Sequence, residues 1–153
     1  MDHGPESHTG SNLLRWVAYE RDAAAAAKLA ILRASGCESI RHFGACLREH
    51  DRHAAELAVW AGAHGHPSSP RAEARFVTTE PLAIGDVDGG QALLDAMDRL
   101  ETGRIDRYLA RRAARAGEPA STFDALLDRH LADAYARLAR LRDLRERRRD
   151  RAA

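Results

Sequence analysis

Apolar and polar positions along this chain recur with a helical period in four long stretches. In the first, over about residues 12–35, Leu13, Val17, Ala24, Ala27 and Ile31 fall on one face. Arg15, Asp22 and Arg33 project from the other side, Ser11 or Asn12 stands where an N-cap belongs, and Gly36 marks the stop. The second stretch, 39–62, sets Ile40, Phe43, Cys46, Leu47, Ala54, Leu57 and Ala61 against Arg41, Arg48, Asp51, Arg52 and Glu56. The third, 89–116, starts after a cap at Asp88, carries Leu94, Met97, Ile105 and Tyr108 as its stripe, and ends at Gly117-Glu118-Pro119. The fourth, 122–149, opens on Ser121-Thr-Phe-Asp124, a capping box with Asp in the Glu position. Its inner face is Phe123, Leu126, Leu127, Ala134, Leu138 and Leu141.

The connections set the topology. The turn between the first two helices is brief, which makes them antiparallel neighbours. Residues 63–88 contain three prolines and a Gly/His/Ser cluster without a useful helical period, so they read as a long crossover that lets the third helix run parallel to the second. Phe76, Val77, Leu82 and Ile84 are expected to pin this crossover to the outside of the bundle or to a neighbouring subunit. Residues 1–10 read as a loose tail, leaving one all-α domain over residues 11–149.

Composition fits that reading. At 153 residues the chain is one domain with a real core, and 44% hydrophobic against only 5% aromatic residues makes that core one of Leu and Ala. A formal charge of +1 gives no global attraction to nucleic acid or membrane, although Lys28 is the only lysine beside many arginines. The two cysteines, Cys37 in a loop and Cys46 in the second helix, lie roughly 13 Å apart if the chain between them is helical, too far for a disulfide. With no secretory leader and no run of about 18 apolar residues, the expected setting is cytoplasmic.

The informative residues interrupt the apolar stripes. Glu20, His50, Glu101 and His130 each fall at the middle of the inward face of one helix, and His53 lies one turn beyond His50 at the stripe's edge. Glu20 precedes His50 by 30 positions and Glu101 precedes His130 by 29, so each hairpin sets a Glu and a His at similar depth. Asp133 follows His130 at i+3, as His53 follows His50. A buried charge is costly unless paired, so these residues are expected to converge.

This layout of helices, crossover and inward polar residues resembles the ferritin-like superfamily over residues 11–149. Di-iron members of that superfamily supply one Glu from each of two helices and a Glu-x-x-His pair from each of the others. Glu20 and Glu101 match the single-Glu positions, and Tyr108 stands after Glu101 at a spacing common there. His50-x-x-His53 takes the place of one pair with His for the bridging Glu. The other is represented by His130-x-x-Asp133 in reversed order, or by Asp133-x-x-Ala136 without the histidine. Helix lengths and segments such as His53-Ala-Ala-Glu-Leu57 and Leu138-Ala-Arg-Leu141-Arg-Asp-Leu144 are similar to the small bacterial DUF2383-type ferritin-like proteins, some linked to stress responses. The resemblance implies a bundle without a complete di-iron motif, and a non-enzymatic protein unless a metal site is present.

Two readings of the inward set stay open. In one, Glu20, His50, His53, Glu101, His130 and Asp133 bind iron, zinc or manganese. In the other, Glu20 and Glu101 hydrogen-bond to His50 and His130 as a metal-free network that fixes helix register. His64 and His66 read as polar loop residues, and Trp16 and Trp60 as packing or dimer-contact residues. The Arg137–Arg151 run, with Arg111, Arg112 and Arg115, is broken by Asp143, Glu146 and Asp150. It reads as a solvated or salt-bridged face, with weak nucleic-acid binding as the remote alternative. No phosphate loop or activated nucleophile is visible. The expected partner is a second copy of the chain, in a homodimer formed through exposed Trp, Leu or crossover surface.

Overall fold

A computed structural model describes residues 6–76 and 80–152, with side chains from Leu13 onward. Helices α1 (Glu6–Arg33) and α2 (Cys37–Ala63) meet at Gly36, whose φ of 93° is closed to residues bearing a Cβ. That permits the sharp reversal. Cys37 is thus the first residue of α2, not a loop residue, and both cysteines are free. Helix α1 begins earlier than the tail reading allows: residues 6–10 are helical, Ser11 and Asn12 lie inside the helix, and residues 1–5 fall outside the described set. Lengthening an existing helix adds one hydrogen bond per residue fixed, and Leu13, Trp16 and Val17 anchor the next turn in the core.

Residues 63–88 are more regular than their sequence suggests. Short helices α3 (Pro70–Glu73) and α4 (Glu80–Gly85) flank a 3-10 turn at Ala74–Phe76, and both helices lie along α1. Helix α3 is set by its start, with the Ser69 hydroxyl accepting from the Ala72 N–H at 3.2 Å and Pro70 at the first position. An element so short shows no apolar period. Ile84 is fully buried beside Phe43 and Leu93, inside the core and not outside it, whereas Leu82 is exposed. Phe76 is half-buried with the Arg15 guanidinium over its ring, and Val77 falls outside the described residues.

Helix α5 (Gln91–Ala114) and helix α6 (Thr122–Ala152) form the second hairpin. A Cβ at Gly89 would stand 2.7 Å from the Arg33 carbonyl oxygen, so glycine there lets the start of α5 close on the end of α1. The capping box of α6 forms as expected. The Asp124 N–H donates to Ser121 Oγ at 3.1 Å, and the Ser121 N–H donates to Asp124 Oδ2 at 3.1 Å.

The buried faces of the four long helices share one interior with two apolar clusters. One groups Leu13 and Val17 of α1, Leu57 of α2, Ile105 and Tyr108 of α5, and Phe123 to Leu138 of α6. The other groups Ala26 and Ala30, Phe43, Leu93 to Met97, and Leu141 with Leu144. Read end to end, α2 and α5 run in the same sense, with α1 and α6 opposed to them. Buried positions on α2 advance by alternating fours and threes through Ser39, Phe43, Cys46, His50, His53 and Leu57. Ile40 lies about 100° round from that seam and is exposed; Leu47 is half-buried. Trp16 is buried against Tyr108, and Trp60 stacks on His64, so neither tryptophan presents a free face.

Several arginines in the second half of α6 make ion pairs or hydrogen bonds within the molecule. Arg142 and Arg145 hold Asp98, Arg148 donates to Ser35, and Arg151 pairs with Glu38. Among the described residues no helix is long and apolar enough to cross a membrane.

Ala23, Ala26, Ala27 and Ala30 have no exposed surface, so this stretch of α1 packs closely on its neighbours through methyl groups. Ala27→Leu should therefore cost about 1–3 kcal/mol in chemical denaturation, while Ala25→Leu on the exposed side of the same helix should cost less than about 0.5 kcal/mol.

Candidate metal centre

Between the two apolar clusters lies a layer of charge. The i, i+3 spacing of His50 and His53 puts both imidazoles on the inner face of α2, opposite Glu20 of α1. His50 Nδ1 stands 2.7 Å from Glu20 Oε2, and its Nε2 stands 3.3 Å from Glu101 Oε1 of α5. His53 presents Nδ1 to the same Glu20 oxygen at 3.5 Å and Nε2 to Asp133 Oδ2 of α6 at 2.9 Å. The Tyr108 hydroxyl donates to Glu20 Oε1 at 2.5 Å. Each histidine thus turns Nδ1 towards one shared carboxylate and Nε2 towards a carboxylate of its own.

Buried arginines surround Glu101. Arg104 donates to Glu101 Oε1 at 2.7 Å and Arg137 to Glu101 Oε2 at 3.4 Å. Arg104 also donates to Glu80 of α4, at 2.6 and 3.1 Å, and Arg107 reaches the other Glu80 oxygen at 2.8 Å. Arg137 continues outward to Glu49 at 3.1 Å. The sequence reading missed Arg104, Arg137 and Glu80. A signal existed for two of them: Arg104 follows Glu101 at i+3, and Arg137 follows His130 by two helical turns on the inner stripe of α6. Glu80 carried none, since its short helix shows no period.

His130 is buried but does not pair with Glu101, as the echo between the hairpins suggested. Its ring stacks on His53, centroids 3.8 Å apart and planes 14° apart, and its Nε2 stands 2.8 Å from Glu56 Oε2. Asp133 sits at the rim, 41% exposed, and receives Arg52 Nη2 at 2.6 Å. Of the six candidate ligands, then, Glu20, His50 and His53 meet at one point. Glu101 is held by two guanidiniums on the far side of His50, Asp133 backs His53, and His130 turns to Glu56.

The charges follow from these contacts. Burial by itself would raise the Glu20 carboxyl, but the charge and the 2.7 Å hydrogen bond of His50 outweigh it and hold the group well below the usual carboxylate range. Glu101 is likewise pushed up by burial and held far down by Arg104, the His50 hydrogen bond and Arg137. Asp133 is lowered despite partial burial, chiefly by the His53 hydrogen bond. Burial and the neighbouring His53 lower His130 against the hydrogen bond it makes to the Glu56 carboxylate. Burial and the nearby Glu101 push the Cys46 thiol up to about 12, so it is no nucleophile.

Counting protons shows what the layer can hold. Asp133 is ionised and cannot donate, so the proton in its 2.9 Å contact belongs to His53 Nε2. In the tautomer with its single proton on Nε2, the ring turns a lone pair at the buried Nδ1, which has no hydrogen-bond partner, towards Glu20 Oε2. In that form two acceptors face each other. A cation between them would resolve the conflict, and one coordinating atom from each of Glu20, His50 and His53 lies within 4.8 Å of the other two. Atoms bound tetrahedrally to zinc at about 2.1 Å stand roughly 3.4 Å apart, close to the 3.5 Å between His53 Nδ1 and Glu20 Oε2, whereas His50 Nδ1 stands at a hydrogen-bond distance of 2.7 Å from that oxygen and would have to draw back to share an ion with it. Imidazole with carboxylate suits zinc, iron or manganese, and the carboxylates behind each Nε2 are the outer partners that orient metal-bound histidines. A crevice lined by Trp16, Tyr19, Glu20, Arg104, Arg107 and Tyr108 reaches Glu20 with space of about 10 Å³, the size of one water.

Removing Arg137 leaves the buried Glu101 carboxylate with Arg104 and His50 only, so Arg137→Met should cost about 1.5–3 kcal/mol in chemical denaturation. Carboxyls held below their ordinary range contribute stability that is full above the unfolded value of about 4.3 and is lost as pH falls towards the folded one. Stability should therefore drop steeply below about pH 4, and Glu101→Gln, though weaker at pH 7, should show a flatter acid limb in denaturation curves taken across pH. Comparison of the chain with protein-family models, with curated proteins and with solved structures found no match.

Proposed function

We propose that this chain binds one transition-metal ion through Glu20 and the Nδ1 atoms of His50 and His53, in a bundle of ferritin-like topology. The observation that carries the reading is the enclosed, unpartnered His53 Nδ1 facing an ionised carboxylate. Three protein ligands leave a fourth position open, beside a crevice of one-water size. The site takes one ion, because Arg104 and Arg137 already supply the positive charge around Glu101. The ferritin-like resemblance adds iron handling or defence against oxidative stress as the setting.

A second reading has its own support. The contacts of Glu101 with His50, Arg104 and Arg137 join three helices without any ion, which favours a metal-free network that fixes helix register in a structural or stress-related bundle.

Metal analysis separates the two. Protein purified without chelator, or stripped and offered zinc, iron(II) or manganese(II), should retain about one equivalent per chain, and Glu20→Ala or His53→Ala should abolish retention. Asp133→Asn should weaken binding by about 10–100-fold, since it removes the carboxylate that orients His53. A folded, metal-free protein that takes up none of the three ions supports the network instead.

A further inference from the structure

The two oxygens of Glu20 are committed to different neighbours. Oε2 faces the imidazoles, 2.7 Å from His50 Nδ1 and 3.5 Å from His53 Nδ1. Oε1 takes the Tyr108 hydroxyl at 2.5 Å, and because an ionised carboxylate has no proton to give, the phenol is the donor in that contact. Both residues are buried.

The phenol is itself held. Its ring packs on Trp16 with centroids 4.8 Å apart, inside the apolar cluster that joins α1, α2, α5 and α6. For both Glu20 oxygens to turn towards one point between the histidines, Oε1 has to leave the hydroxyl, which strands a buried donor and carries the full cost of an unmade hydrogen bond. The carboxylate is therefore held with one oxygen forward.

We propose that Tyr108 is a positioning residue that keeps Glu20 a one-oxygen ligand and so sets the centre for a four-coordinate ion, zinc in preference to manganese(II). This rests on the metal reading above. Two imidazole nitrogens and one carboxylate oxygen make three protein ligands, and the crevice lined by Glu20 and Tyr108 leaves room for one water as the fourth. Zinc is satisfied by four ligands of that mixture, whereas manganese(II) favours six with oxygen predominating. The oxygen that could raise the number, Glu20 Oε1, is engaged by Tyr108. The neighbouring carboxylates are engaged as well, Glu101 by Arg104 and Arg137, and Asp133 by Arg52 and His53.

The test is the visible spectrum of cobalt(II) added to the metal-free, full-length chain, since four-coordinate cobalt(II) absorbs far more strongly than the five- or six-coordinate ion. Wild type should show the strong bands. Tyr108→Phe keeps the ring on Trp16 but frees Oε1 to chelate, so its bands should weaken by about twofold or more, and its preference for zinc over manganese(II) in direct competition should narrow by about fivefold or more. A tyrosine that only supports the fold would weaken both ions alike and leave band intensity and preference where they were. Equal spectra and equal preference in the two proteins overturn the role of Tyr108 and leave the metal centre standing, as do weak six-coordinate bands in wild type. A wild-type chain that binds no cobalt(II) overturns both.

Discussion

Glu101 has almost no contact with water, and a bare carboxylate in that position would cost several kcal/mol. His50, Arg104 and Arg137, from α2, α5 and α6, close around it instead. These contacts tie α2, α5 and α6 together, as those of Glu20 tie α1, α2 and α5. The apolar clusters on either side tolerate small slides of one helix on another, but a carboxylate with three hydrogen-bonding partners does not. The layer therefore sets the register in which the leucines and alanines pack, whether or not a metal joins it.

The same constraint shapes the chemistry next door. Glu80 and Glu101 are met by the guanidiniums of Arg104, Arg107 and Arg137, whereas Glu20 faces two imidazoles and the Tyr108 hydroxyl. His50 lies between two ionised carboxylates and must donate at both nitrogens, or donate at one and coordinate at the other. The proposed ion between Nδ1 and Glu20 would take the place of the second proton. It would also satisfy the Nε2–H form of His53.

Much of this was legible in the sequence because helical period is a strong signal. The four long helices, the capping box at Ser121, and the burial of Glu20, His50, Glu101 and His130 follow from apolar spacing alone. What periodicity does not carry is direction. It set His130 at the right depth but not turned towards Glu56, and it put His53 at the edge of a stripe whose true seam runs through it. It passed over Arg104 and Arg137 because arginine on an inner stripe looks like a surface residue slightly out of phase. Glu80 was hidden for another reason: its helix is six residues long and is positioned by ion pairs with α5 and the burial of Ile84. Contacts of that kind depend on which helices become neighbours, and single-helix patterns do not encode it.

The central claim concerns where the protons sit on two imidazoles. Long-range proton–nitrogen NMR correlation on histidine-labelled protein, before and after one equivalent of zinc, reads this directly. The account predicts His53 as the Nε2–H tautomer with a bare Nδ1, and large zinc-induced shifts at Nδ1 of both His50 and His53. Finding the His53 proton on Nδ1, with neither ring responding to zinc, would contradict it.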